Sequence, residues 1–182
     1  MFKVALYLLI TIVLAIFLLP FFYTVSAYDL DPLRILQAPS FEHIFGTDRL
    51  GRDMLARILE GGQTSLIIGF LAASISSIVG LFIGINAGYF KGNIDKTITI
   101  MIDLFLTFPT FFLLLALVSY IQASALILII VISITGWMGM ARMIRSESFA
   151  IGNKPFIKIL KVANVSTFKI IFKYFAPLLA PI

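Results

Sequence analysis

His43 is the single histidine of this 182-residue chain, and with Glu42 beside it and Asp48 five positions on, it is the nearest approach to a metal-ligand set. Zinc sites draw on several nitrogen and sulfur ligands at short spacing. No second histidine follows and the chain has no cysteine, so a solvated loop histidine is the preferred reading. The lack of cysteine also excludes a disulfide framework, a thiolate site and a cysteine nucleophile. The adjacent GTDRLGR, residues 46–52, lacks the Gly-Lys-Ser/Thr ending of a phosphate-binding loop. Neither a Ser/His/Asp set nor paired carboxylates occur within the apolar segments, so no catalytic, cofactor-binding or metal residue is assigned.

The elements that carry these residues belong in lipid. Mean hydropathy is +1.07 with 13% charged residues, against about a quarter charged in soluble domains. A bilayer crossing takes roughly 20 mostly apolar residues. Four stretches qualify: Val4 to Tyr23, Leu66 to Phe90, Ile98 to Ile121 and Ser124 to Met143. The first has signal-like features in Lys3 and Val25-Ser26-Ala27, but its apolar run exceeds the usual signal core and reads as a retained helix. The division expected is 1–24 as a first transmembrane helix, 25–65 as an external loop with an amphipathic helix, and 66–182 as a membrane core.

Cytoplasmic loops retain lysine and arginine. With the amino terminus inside, ten basic residues are cytoplasmic and four (Arg34, Arg49, Arg52, Arg57) are external. Residues 48–60 then read as an external amphipathic helix capped by Thr47 or Asp48. Leu50, Met54, Leu55, Ile58 and Leu59 would form its apolar face, with i,i+4 pairs Asp48–Arg52, Arg49–Asp53 and Asp53–Arg57 opposite, and Gly61-Gly62 would end it. In the second span Ala72, Ser76, Gly80, Gly84 and Gly88 recur every four residues, a stripe that admits a close helix neighbour. A tight turn is expected on Gly88, Gly92 and Asn93. Asp103 and the kinking Pro109 fall in the third span, where Asp103 either snorkels to the interface or serves a pathway. After the fourth span a basic amphipathic segment begins at Phe156. It reads either as a helix held on anionic membrane lipid or as a docking helix for a cytoplasmic partner.

In order along the chain stand His43, GTDRLGRD (46–53), Arg57, Gly61, Ser65-Leu66, Gly88-Tyr89-x-x-Gly92-x-x-Asp95, Asp103 with Phe108-Pro109, and Trp137 with Ala141-Arg142, Arg145 and Glu147. Together these resemble the inner-membrane permease subunits of ABC importers for dipeptides, oligopeptides and nickel. The resemblance implies an all-α polytopic transmembrane bundle of the type I importer kind, with four spans and the start of a fifth, in the cytoplasmic membrane. It also implies a second homologous permease, two cytoplasmic ATPase subunits that bind the ATP, and an external solute-binding protein as partners, with no nucleic acid. Gly46, Thr47, Asp48, Gly51, Arg52, Asp53 and Arg57 carry the external motif. The implied coupling loop to the ATPase involves Glu147, Lys158, Leu160, Lys161 and Asn164, with Leu160 filling the ATPase cleft.

That loop departs from the family's E-A-A-x-x-x-G pattern. Lys158-Ile159-Leu160 stands for Glu-Ala-Ala, and Asn164 stands for glycine. Asparagine tolerates the left-handed backbone that glycine often supplies. The family usually continues through two more spans, so a truncated product is expected from a chain stopping at Ile182. Short peptides are the expected substrate, nickel is the alternative within the family, and a membrane anchor or scaffold with a basic tail is the alternative outside it.

Overall fold

The computed structural model describes residues 2–107 and 124–179, together with Pro109, Phe112, Leu115, Ala116 and Ser119. The described residues are helical between loops, with one isolated β-bridge, Thr47 to Asp53. They fall into two compact units, Met1–Ile67 and Ile68–Ile182.

In the first unit, α1 (Phe2–Leu18) is apolar on every side and buries none of its residues. A helix this apolar and this little covered by protein suits a lipid environment. Pro20 ends it in a single 3-10 turn, Leu19–Phe21. A loop containing a second such turn, Pro32–Arg34, leads to α2 (Met54–Phe90). The expected helix over 48–60 is thus corrected, because residues 48–53 form a folded turn and the helix starts at Met54. Nor do Gly61-Gly62 end it. A helix interior tolerates glycine at a cost of about 1 kcal/mol, and Gly62 lies against Ile16 of α1, whose carbonyl accepts a hydrogen bond from Gln63 Nε2 at 3.0 Å. The buried face at the start of α2 is Ala56 and Leu59, while Met54 and Ile58 are exposed.

The second unit comprises the rest of α2, then α3 (Gly92–Thr107), α4 (Ala125–Gly152) and α5 (Pro155–Val162). α6 (Thr167–Ile170) follows, with a wider π turn, Ile171–Phe175, and α7 (Ala176–Leu179). The turn from α2 to α3 falls on Lys91 and Gly92, both at φ +57. Gly88, expected in that turn, is instead inside α2. Phe2–Phe21, Met54–Phe90 and Ala125–Gly152 are each long and apolar enough to cross a membrane. The expected third span begins in α3, and most of its remainder, Phe108 included, lies outside the described residues, as do the last three residues of the chain.

The stripe on α2 faces α4. A β-carbon on Gly80 would lie 2.7 Å from Met140 Cβ, and one on Gly84 2.7 Å from the Ala141 carbonyl oxygen. One on Gly88 would overlap Ser148 Cβ. Ser76 Oγ donates to the Ser133 carbonyl at 3.4 Å, and Ala72 is buried. Beside this contact Ile102, Met138 and Ala141 join α3 to α4. A larger cluster of Ile85, Tyr89, Ile144, Ile157, Ile170 and Phe175 ties α5 and the final helical segment to the ends of α2 and α4.

Candidate functional site

The GTDRLGRD element is a hydrogen-bonded knot. Gly46 and Gly51 sit at φ +71 and +75, and a β-carbon on either would overlap a carbonyl oxygen, of Gln37 and of Asp31 respectively. Both positions therefore require glycine on two grounds, handedness and space. Asp48 organises the turn between them. Its Oδ1 accepts the N–H groups of Leu50 (2.8 Å) and Arg52 (3.1 Å), and its Oδ2 takes Arg52 Nε (2.9 Å) and Arg57. Removal from water pushes the Asp48 carboxyl up, but Arg52 and the two N–H groups outweigh this and hold it well below the carboxylate range. Thr47 Oγ1 accepts the Gln37 N–H at 2.9 Å and donates to the Arg34 carbonyl, pinning the knot to the preceding loop.

Asp53 is 2% exposed and caps α2, its Oδ1 accepting the Ala56 N–H at 2.7 Å. The cap is thus Asp53, not Thr47 or Asp48. Its Oδ2 accepts Tyr23 Oη at 2.7 Å and faces His43 Nδ1 at 2.8 Å. The other ring nitrogen, Nε2, lies 3.0 Å from Arg34 Nη1. A guanidinium only donates, so Nε2 accepts, and the ring proton sits on Nδ1 and is donated to Asp53. Arg34 is itself held by Asp31 and by Glu42, the latter at 2.7 Å. Burial pushes the Asp53 carboxyl up, but hydrogen bonds from Ala56, Tyr23 and His43 bring it below its ordinary value. Burial, then the bond to Asp53 and its charge, push the Tyr23 phenol up to about 12.

Of the three expected charge pairs, Asp48–Arg52 forms, at 2.8 Å. Arg57 reaches Asp48 rather than Asp53, and Arg49 is exposed. The candidate metal ligands are committed elsewhere, both nitrogens of His43 to Asp53 and Arg34, and Asp48 to two arginines. No cluster of three or more potential metal ligands occurs among the described residues. The arrangement locks a loop; it presents no free base or nucleophile.

In the second unit the charged residues pair between α3 and α4. Arg145 grips Asp95 at two points, Nε to Oδ1 and Nη2 to Oδ2, the second at 2.8 Å. Arg142 Nη2 meets Asp103 Oδ1 at 2.5 Å, with both side chains more than half exposed. These separations of 50 and 39 residues left no local signal in the sequence, and Tyr23 gave none either.

The coupling residues divide. Glu147 is exposed on α4, ahead of the loop. Lys158 is exposed on α5. Leu160, half-buried, packs against the cluster of Ile157 and Ile170. The most exposed apolar residues of α5 are Ile159 (67%) and Val162 (88%), with Phe156 less so (37%). Lys161 Nζ folds back over the Tyr89 ring, 4.3 Å from its centre. Asn164 has φ +54, and its N–H bonds to the Lys161 carbonyl (3.1 Å) while the Val165 N–H bonds to that of Leu160 (3.0 Å). This is a Schellman ending, with Leu160 and Val165 packed on one cluster as its usual apolar contact.

A knot that fixes a loop beside a lipid-solvated helix, followed by membrane helices with a short capped helix beyond them, defines a multi-pass helical membrane protein. Residues 80–182 match the family described as the binding-protein-dependent transport system inner membrane component, and the chain belongs to that family. It is 32% identical over 168 residues to the oligopeptide transport system permease protein OppC of Haemophilus influenzae. To the protein of the same name from Mycobacterium bovis it is 35% identical over 167 residues. Each match covers 91% of this chain, which spans 54% and 56% of those two proteins, about half their length.

Proposed function

We propose that this chain is an inner-membrane permease subunit of an ATP-driven importer that moves short peptides across the cytoplasmic membrane. The observation that carries the reading is its similarity, across 91% of its length, to proteins named as oligopeptide permeases. Substrate passes between this chain and a second, homologous permease. Two cytoplasmic ATPase subunits drive the cycle and an external binding protein delivers the peptide. The amino terminus is inside, as the distribution of basic residues favours, so the GTDRLGRD knot is external and α5 is cytoplasmic.

On this reading α5 transmits the ATPase's movement. Its inner face, Ile157 and Leu160, belongs to the chain's own cluster, so Ile159 and Val162 enter the ATPase cleft and Lys158 meets an acidic residue there. Asn164 in its left-handed conformation supplies the turn that the family's glycine provides. A cysteine at Ile159 should crosslink to the co-expressed ATPase, and one at Leu160 should not. If α5 instead lies on lipid, neither crosslinks while the ATPase is present and the chain is inserted.

A further inference from the structure

Arg34 Nη1 and His43 Nε2 meet at 3.0 Å, with His43 only 9% exposed. The contact exists in one protonation state. A guanidinium carries donors and no acceptor, so the ring nitrogen that faces it has to be bare. A proton on Nε2 would set donor against donor and cation against cation in a part-buried site, where salt screens them weakly.

The surroundings decide which partner yields. Facing the ring are Asp53, from the start of α2, at 2.8 Å from Nδ1, and Arg34, from the Pro32–Arg34 turn. Tyr23, from the loop after α1, faces it through Asp53 Oδ2, while Asp31 and Glu42 face it through Arg34. Burial raises the Asp53 carboxyl, but its hydrogen bonds bring it below its ordinary value. It therefore remains ionised where a histidine takes up its proton, and it is already placed as the counter-ion of an imidazolium. The backbone of His43 is fixed, its N–H donating to Ser40 Oγ at 3.1 Å and its carbonyl accepting the N–H groups of Ser40 and Gly46. Arg34 is the member able to move. Its side chain is 41% exposed, and its carboxylate partners Asp31 and Glu42 are 42% and 73% exposed.

We propose that His43 and Arg34 form a proton-operated latch on the external loop: proton uptake at His43 Nε2 expels the Arg34 side chain and loosens the Pro32–Arg34 turn. Arg34 stays with Asp31 and Glu42, and His43 stays on Asp53, so the cap of α2 is kept. Thr47 Oγ1 still donates to the Arg34 carbonyl and the Leu36 N–H to the Asp48 carbonyl, so the movement is local. On the topology proposed above, the proton comes from the external medium. The latch itself does not depend on which solute is carried.

His43 is the single histidine and the chain lacks cysteine, so the full chain in lipid nanodiscs accepts isotope-labelled histidine, read by nitrogen NMR, and a single spin label. At about pH 8 the ring should show a protonated Nδ1 and a bare Nε2, and at about pH 5 both should be protonated. A nitroxide at L33C, beside Arg34 at a position 92% exposed, should become severalfold more mobile with the same midpoint as the Nε2 signal. One at I58C on α2, 51% exposed, should not change. His43→Gln keeps a donor and an acceptor without a titrating group, and in it the label at 33 should ignore pH. Arg34→Met removes the expelled cation, so there the label should be mobile at both ends of the range. This second variant keeps the test intact if His43→Gln does not fold. A bare Nδ1 in place of Nε2 at the alkaline end, an Nε2 still bare at the acid end, or a label at 33 that ignores the protonation of Nε2 overturns the latch. So does an acid response of that label that persists in either variant.

Discussion

Tyr23 Oη donates to Asp53 Oδ2 at 2.7 Å, joining the exit of α1 to the cap of α2 across thirty residues of sequence. Asp53→Ala would remove the cap and leave the Tyr23 and His43 donors without their acceptor. Unsatisfied buried groups cost about 1–3 kcal/mol, so limited proteolysis of the loop should accelerate severalfold. Arg49→Ala, at an exposed position, should leave the cleavage rate within a factor of about two.

Alkaline pH should test the same contact from the other side. Tyr23 is neutral when protonated and its folded pKa is raised to about 12. Its contribution to the fold is therefore full below the ordinary value near 10 and is lost as pH rises towards 12. Tyrosinate absorbance should show a late-titrating phenol whose midpoint falls in Asp53→Asn but, because burial remains, stays above the ordinary value. Asp53 has its sign reversed: its pKa is lowered, so its contribution is present above about pH 4 and fades on acidification through the folded value.

Gly51→Ala should be far costlier than Gly61→Ala. At Gly51 the added methyl group meets the Asp31 carbonyl at φ +75, whereas at Gly61 it meets open space in a helix. Helix propensity makes the second change favourable by about 1 kcal/mol. The yield of protease-resistant protein in membranes should fall for the first and hold or rise for the second.

The membrane helices were legible because an apolar run of the right length has one physical use, and the four-residue stripe identified the close face of α2. The 48–60 segment misled for a definite reason. Asp48–Arg52, Arg49–Asp53 and Asp53–Arg57 have helical spacing, yet Arg52 and Arg57 both converge on Asp48 through a turn that Gly46 and Gly51 permit. Composition at i,i+4 cannot distinguish a helix face from a knot of that size. Leu160 packs on the chain's own cluster because the apolar face of a short helix can serve the core as well as a partner. Tyr23 and the Asp95–Arg145 pair were invisible because their partners lie thirty and fifty residues away.

Gly84→Ala should disturb packing more than Gly69→Ala. The new β-carbon at 84 falls 2.7 Å from the Ala141 carbonyl and from Ile144 Cβ, and at 69 it meets nothing. Backbone cannot yield as a flexible side-chain tip does, and overpacking costs about 1–3 kcal/mol. Thermal aggregation of the detergent-solubilised protein should begin several degrees lower for the first variant only.

The central claim is tested most directly by uptake of a radiolabelled tripeptide into energised cells with this gene deleted, against the same cells with it restored. Uptake should vanish on deletion, return on restoration, and stay absent when the restored strain carries a partner ATPase unable to hydrolyse ATP. Uptake that persists without this chain, or that returns although the ATPase is inactive, would contradict the assignment of an ATP-driven peptide permease.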